Sequence, residues 1–129
     1  MEIFKQWLLS ADEDIGSSEY VLGGKYFRTA IYLTQQCAEK AFKGFLTFKS
    51  QPIQKTHNLV TLLKLCEKLD ADFDSLVEHA FALNRLDVQY RYPDGDSSDG
   101  ELSQPTESQV KDSIEYAKEI FEFVKKKCE

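Results

Sequence analysis

The chain has 129 residues, a net charge of −6 at pH 7 and a hydrophobic content of 42%, values typical of one globular domain. The acidic balance argues against non-specific binding of a nucleic-acid backbone, which needs a cationic surface, but it leaves room for a small basic pocket. Residues 29–38 form the longest uncharged run, too short to span a bilayer, and the N-terminus lacks a signal-peptide pattern. The predicted location is therefore the cytoplasm.

Two helices are predicted in the first fifty residues. Apolar residues recur at steps of three and four over residues 2–22, and Gly23-Gly24 is expected to end this helix by supplying a left-handed residue. The second helix, residues 25–49, carries two apolar stripes. A helix that is apolar on two sides is buried on both, either as the central helix of a bundle or as one that also meets another subunit.

The middle of the chain predicts a third and a fourth helix. Thr56 can cap the third, whose apolar residues lie within residues 59–69. Apolar residues from Phe73 onward indicate the fourth. It should stop near residues 90–92, because Pro93 disfavours helical backbone in the residue before it.

A fifth helix begins with a capping box, in which Thr106 is followed three residues later by Gln109. Lysines at positions 125–127 suit the negative end of its dipole. Five helices joined mostly by short connections predict an all-α fold, an antiparallel up-and-down bundle that spans residues 1–129 as a single domain.

No metal site is predicted. The loop of residues 93–105 is acidic, but a calcium loop starting at Asp94 would need glycine where Asp99 stands, and a solvated, mobile loop is the simpler expectation. His57 and His79 are not clustered with the three widely spaced cysteines. We therefore expect reduced, buried thiols, with no metal and no cofactor.

Three segments resemble the HEPN superfamily, in the order in which that family carries them. They are YFRTAIYLTQQCAEKAFKGFL (residues 26–46), KTHNLVTLL (55–63) and YRYPD (90–94), and the likeness covers nearly the whole chain. The most similar branch is that of small prokaryotic single-domain members, which are helical bundles and typically dimerise. The resemblance implies a homodimer and, as in toxin systems of this family, a minimal nucleotidyltransferase as partner.

Many HEPN proteins are metal-independent endoribonucleases whose motif pairs an arginine with a histidine, and one motif from each subunit meets at the dimer interface. The resemblance places Arg85 at the motif arginine and Tyr90 at the motif histidine. Leu86 stands where a polar residue is usual. Tyr92 falls where toxin members carry a tyrosine that the nucleotidyltransferase can adenylylate, so it is the predicted modification site.

Tyrosine in place of histidine weakens the expected chemistry. Metal-free RNA cleavage needs a base and an acid, and imidazole, with a pKa of about 6.5, suits neutral pH better than a phenol with a pKa of about 10. The guanidinium groups of Arg85 and Arg91 can still bind phosphate, and Tyr92 can stack on a base.

Two functional hypotheses follow. The first is a dimeric HEPN module that binds nucleotide or RNA and partners a minimal nucleotidyltransferase, its catalytic motif at Arg85 and Tyr90 being degenerate. The alternative is a metal-independent endoribonuclease of toxin type, which uses Arg85 with a displaced acid or base. The homodimer also follows from the two-sided apolar surface of the second helix, which exceeds what one neighbour can cover.

The same side chains have a purely structural interpretation. Arginines at a helix end often pair with acids or carbonyls, and tyrosines often cover the end of a bundle. His57, near a helix N-terminus, is predicted to be a structural hydrogen-bonding residue, and His79 a surface or packing residue.

Overall fold

The computed structural model describes residues 2–93 and 100–129, so residues 94–99 of the predicted loop of residues 93–105, with the rejected calcium-loop positions there, lie outside these ranges. The described ranges form five α-helices and a short 3-10 segment. These are α1 (Ile3–Gly23), α2 (Phe27–Phe48), α3 (Leu59–Leu69), the 3-10 segment (Ala71–Leu76), α4 (Val77–Tyr90) and α5 (Glu107–Lys127). The predicted all-α bundle is confirmed. None of the described helices is long and apolar enough to cross a lipid bilayer.

The sequence predicts the N-terminal cap of α5 correctly and that of α3 incorrectly. The capping box of α5 is confirmed, with Thr106 and Gln109 each accepting a hydrogen bond from the backbone N–H of the other. The expectation that Thr56 caps α3 is wrong. Asn58 is the cap, and its side chain accepts from two N–H groups of the first turn, whereas Thr56 accepts only from the N–H of Asn58.

Two helices end on a left-handed residue that is not glycine. Gly24 has φ −85°, and Lys25, with φ 65°, takes the left-handed conformation after α1, so the expected left-handed glycine is wrong. The N–H of Tyr26 donates to the carbonyl of Val21 at 2.9 Å, which completes a Schellman motif. Ser50, with φ 58°, ends α2 in the same manner.

The central helix is α2. It packs against each of the other four α-helices of the described ranges, and residues of both apolar stripes are buried. The prediction that it occupies the middle of the bundle is confirmed. Most of its apolar side chains are covered within the monomer, and Tyr26 and Tyr32 remain 66% and 42% exposed, so little is left of the surplus on which the sequence based a dimer.

Two apolar clusters surround α2. The larger joins all five α-helices and the 3-10 segment, with Ala80 and Leu83 contributed by α4, and its largest fully buried members are the rings of Phe42, Phe45 and Phe73. Cys37 and Cys66 are buried there as free thiols, as predicted. The smaller cluster lies where α2 begins, α4 ends and α5 begins, and it consists of Ala30, Ile31, Leu86, Tyr90, Val110 and Ile114.

Candidate phosphate-binding site between α2 and α4

One side of α4 projects into solvent although it is largely apolar. Phe81, Val88 and Tyr92 are 54%, 71% and 70% exposed, and Arg85 is exposed between them. Their spacing of three or four residues places them on one side of the helix and its immediate continuation. Arg85 forms no hydrogen bond or ion pair with residues 2–93 or 100–129. We call these four residues the outer face of α4.

Tyr90 points away from this outer face. It is 8% exposed, belongs to the smaller apolar cluster, and its hydroxyl accepts a hydrogen bond from Nε2 of Gln89 at 3.2 Å. Tyr90 lies five positions after Arg85, which on a helix is a rotation of about 140°. The structure therefore brings Arg85 and Tyr92 to one side and leaves Tyr90 on another.

Arg91 is held in one orientation at the end of α4. Its Nη2 lies 2.7 Å from one carboxylate oxygen of Asp87, and its Nε donates to the other at 3.3 Å. Nη2 also reaches Oε1 of Gln35 on α2 at 3.5 Å, and the guanidinium lies 5.1 Å from the centre of the Tyr32 ring. A guanidinium fixed from three directions needs little reordering when it binds a ligand.

The ion pair of Asp87 and Arg91 orients the guanidinium of Arg91 and contributes little to the stability of the fold. Burial raises the pKa of Asp87 above its ordinary value, and the attraction of Arg91 only partly offsets that effect. Burial alone would lower the pKa of Arg91, but Asp87 and Tyr92 raise it, so the guanidinium stays charged. A carboxylate whose desolvation is not fully repaid adds little to folding. We therefore interpret Asp87 as the residue that positions Arg91.

Arg91 borders a shallow groove of about 240 Å³ between α2 and α4, which we call the arginine groove. Its lining residues are Arg28, Thr29, Tyr32, Tyr90 and Arg91. Arg28 is anchored through Nη1, which donates to the carbonyl of Ser103 at 2.5 Å. The chain has only three arginines, so two of them meet here, beside tyrosine rings. Guanidinium groups bind phosphate oxygens, and aromatic rings stack on bases.

A row of polar side chains continues from the arginine groove along α2. Its members recur at steps of three and four residues, which places them on one face of the helix, and they are Arg28, Tyr32, Gln35, Glu39 and Lys43. The last three are only 1%, 5% and 8% exposed. Buried polar groups persist where hydrogen bonds satisfy them. We call these five residues the polar row.

Glu39 is the centre of the bonding within the polar row. Its Oε2 accepts from Nζ of Lys43 at 2.9 Å and lies 3.0 Å from Nδ1 of His57, and its Oε1 accepts from Gln35 at 3.3 Å. Burial alone would raise the pKa of Glu39, but the hydrogen bonds from Lys43 and His57 lower it below its ordinary value. Glu39 is therefore an ionised carboxylate at neutral pH.

Gln35 connects the arginine groove to His57. Its Nε2 donates to the carbonyl of His57 at 2.9 Å, while its Oε1 accepts from Gln36 at 2.8 Å and from Arg91. His57 thus forms the hydrogen bonds expected of a structural residue, yet its side chain is 68% exposed. His79 packs on the ring of Tyr116 and pairs with Glu119, away from the polar row.

The sequence and the fold were compared with those of known proteins. The family model of the HEPN domain matches residues 4–127. The chain belongs to the HEPN family. An archaeal HEPN homologue, ST0689, has a crystal structure that is 29% identical, with a TM-score of 0.77 over 98% of both chains. The crystal structure of TT1696 from Thermus thermophilus is 28% identical, with a TM-score of 0.81 over 98% of this chain and 99% of the other. No curated protein matches the chain significantly.

In this HEPN domain the residues singled out from the sequence divide between two surfaces. Arg85 and Tyr92 lie on the outer face of α4, whereas Arg91 lines the arginine groove together with Tyr90. The sequence does not single out Tyr32 or Glu39. Their signal is the polar row itself, because charged and amide residues at helical spacing inside a helix that is apolar on two sides indicate buried polar contacts.

Proposed function

We propose that this HEPN domain acts in the cytoplasm as a single-domain, dimeric module that binds the phosphate of a nucleotide or of RNA in the arginine groove. The observation that carries the proposal is the fixed orientation of Arg91, which Asp87, Gln35 and Tyr32 hold at the edge of an open groove. Arg28 supplies a second guanidinium, and Tyr32 supplies a ring on which a base can stack.

The overall charge of −6 limits what this groove can do. An acidic protein does not coat itself with nucleic acid, so binding depends on the local pair of arginines. Two phosphate contacts on a single strand correspond to a slope of about −1.4 in the logarithm of the affinity against that of the salt concentration. A weak salt dependence therefore distinguishes this groove from a non-specific cationic surface.

Fluorescence anisotropy with a labelled single-stranded RNA hexamer tests the proposal. Arg91→Lys keeps the charge but loses the bidentate fork, and we expect it to weaken binding about tenfold, as should Arg28→Ala. Lys64→Ala, which removes an exposed cation on α3, is the matched control and should bind normally. Absence of binding by the wild type, or equal losses in all three variants, would contradict the proposal.

The outer face of α4 supports the dimer. Phe81 and Val88 are large, exposed and on one side of the helix, and a second copy of the chain would remove their apolar surface from water while Tyr92, beyond the end of α4, stays accessible. A two-fold axis at this face would bring the Arg85 side chains of both subunits together. The dimer proposed here therefore uses α4 rather than α2.

We also propose that a minimal nucleotidyltransferase is the partner and that it modifies Tyr92. The side chain of Tyr92 is 70% exposed and follows the end of α4, so another enzyme could reach its hydroxyl. A phosphodiester there would carry negative charge next to Arg91. Incubation with the cognate enzyme and ATP, followed by peptide mapping, should locate the added mass on Tyr92 and nowhere in Tyr92→Phe. An unmodified Tyr92 beside a demonstrably active enzyme would reject this partnership.

A metal-independent endoribonuclease that uses Arg85 is the second candidate. The observation in its favour is that Arg85, without a partner among the described residues, stands in the middle of the outer face of α4. The burial of Tyr90 in an apolar cluster counts against it, because no acid or base then stands where the motif places one. Cleavage of RNA in the presence of chelator, lost in Arg85→Ala, would favour this candidate. Tyr90→His is the informative attempt to restore the imidazole.

A further inference from the structure

His57 lies over the polar row of α2 although it belongs to the segment before α3. Its carbonyl accepts from Gln35 at 2.9 Å, and its Nδ1 lies 3.2 and 3.0 Å from the two carboxylate oxygens of Glu39. Two successive turns of α2 thus hold this residue. Its side chain is still 68% exposed, and Nε2 has no hydrogen-bond partner within residues 2–93 and 100–129.

The surroundings of Glu39 determine which ring nitrogen of His57 carries the hydrogen. Hydrogen bonds from Lys43 and His57 lower the pKa of Glu39 against the effect of burial, so its carboxylate is ionised and can only accept. Nδ1 of His57 must therefore donate to it. In a neutral imidazole the other nitrogen then holds a lone pair, so the exposed Nε2 is an acceptor.

Gln35 fixes His57 relative to the arginine groove. One side-chain amide bonds to both, through Nε2 to the carbonyl of His57 and through Oε1 to the guanidinium of Arg91. Gln35 is 1% exposed, and its packing leaves the amide little freedom. It also lies one turn of α2, about 5 Å along the helix axis, beyond Tyr32. His57 does not line the groove itself, but it and Arg91 bond to opposite ends of one amide, so a ligand longer than the groove would reach His57.

Such a ligand would meet two cationic forks and then the exposed Nε2 of His57. Phosphate oxygens accept hydrogen bonds, so they match the forks but not a ring nitrogen that holds a lone pair. A hydroxyl donates, and a ribonucleotide carries one beside its phosphate. We propose that Nε2 of His57 accepts a hydrogen bond from the ribose 2′-hydroxyl of a nucleotide whose phosphate lies in the arginine groove.

This inference rests on the proposed function and narrows its ligand to ribonucleotides, because DNA lacks the 2′-hydroxyl. A purely structural role for His57 is the competing interpretation, since its ring also satisfies the buried carboxylate of Glu39. That role would affect folding and both kinds of nucleic acid alike. The pair of His79 and Glu119 is the control, because it also joins a histidine to a carboxylate, through Nε2, outside the polar row.

The test compares three hexamers of one base sequence, made of RNA, DNA and 2′-O-methyl RNA, by anisotropy with the full chain at pH 7.5. One net hydrogen bond corresponds to a preference of about fivefold for RNA over DNA in the wild type. The 2′-O-methyl RNA keeps the oxygen but loses the donor hydrogen, so it should bind like DNA. His57→Ala should lower the affinity for RNA to that for DNA without changing the latter, and His79→Ala should retain the preference.

Each outcome bears on a separate claim. If the wild type binds neither RNA nor DNA, the proposed function fails. If it binds RNA, DNA and 2′-O-methyl RNA equally well, the arginine groove stands and the role of His57 is overturned. If His57→Ala weakens RNA and DNA binding by the same factor, the structural interpretation is correct instead. Should His57→Ala not fold, the 2′-O-methyl RNA still decides the question in the wild type.

Discussion

Helix α2 has two unlike buried sides. Toward α1, α3 and α5 it presents aromatic and aliphatic side chains, and Phe45 lies 4.4 Å from Phe73 between ring centres. Toward the end of α4 and the segment before α3 it buries Gln35 and Glu39, and the buried Lys43 continues this row beside Trp7 of α1. Burial of apolar surface drives folding, whereas the attraction between buried ions only slightly exceeds the free energy needed to remove them from water. The apolar side therefore stabilises the bundle, and the polar row positions side chains for a ligand.

The largest effect expected from this comparison is on the apolar side. Phe73 is fully buried and contacts the rings of Phe42, Phe45 and Phe123. Phe73→Ala should lower the free energy of unfolding by about 4 kcal/mol, measured by urea denaturation. Tyr20→Ala, 85% exposed on α1 and outside the proposed dimer contact, is the control and should change it by less than about 0.5 kcal/mol. Similar losses in both would remove the distinction between the core and the exposed surface.

The polar row should show a smaller and pH-dependent effect. Glu39→Gln leaves the buried ammonium of Lys43 without its anion, and we expect a loss of about 3 kcal/mol at pH 7. The folded-state pKa of Glu39 lies below its ordinary value of 4.5, so its contribution is present above pH 4.5 and declines as the pH falls through the folded pKa.

The measurement is the free energy of unfolding of wild type and Glu39→Gln between pH 7 and pH 3. The difference between them should shrink below pH 4.5, the ordinary pKa of the group. Glu115→Gln, an exposed change on α5, serves as the control and should match the wild type at pH 7. A difference that stays constant through the acid range would show that the charge of Glu39 does not matter.

A third prediction concerns the outer face of α4, which is the proposed dimer contact. Val88→Asp places a charge in the proposed dimer contact, so the dissociation constant of the dimer should rise at least tenfold, or about 1.4 kcal/mol. Light scattering should give about twice 14.8 kDa for the wild type and approach the monomer mass for the variant. Leu9→Asp, on the exposed side of α1, should leave the dimer intact. A monomeric wild type at micromolar concentration would reject this contact.

The smallest effect concerns a helix end rather than either buried side. Lys25 has φ 65°, a conformation that strains residues with a Cβ, so Lys25→Gly should stabilise the chain by about 1 kcal/mol. Lys64→Gly, in the regular interior of α3, should destabilise it by about 0.7 kcal/mol. Thermal unfolding of both variants should therefore shift in opposite directions. Shifts of the same sign would contradict the strain assigned to Lys25.

The fold was predictable because apolar spacing directly reports which helix faces are buried. The helix ends were less predictable from the sequence. Thr56 and Asn58 are both good caps, and only the path of the chain decides which side chain reaches the first turn of α3. The left-handed residue after α1 follows two glycines, and the Schellman hydrogen bonds place it at Lys25 instead of either of them.

The site was only partly predictable, because its contacts join residues far apart in the chain. The sequence draws attention to Arg91 through its position beside Tyr92. It does not show that Gln35, 56 residues earlier, accepts from Arg91. Nor does it show that Glu39 orients a histidine 18 residues later. The helical spacing of the polar row indicates buried polar contacts, but it does not show which side chains Glu39 bonds to, and those partners appear only once the packing is known.

The most direct test of the arginine groove is to map a bound RNA hexamer by two-dimensional amide NMR. The largest shifts should occur at Arg28, Tyr32 and Arg91, and they should be lost in Arg91→Lys. A second groove, of about 300 Å³ between α1 and α5, is lined mainly by Leu8, Leu9 and Phe121. Shifts confined to that apolar groove, with the residues at the start of α2 and the end of α4 unchanged, would contradict the account.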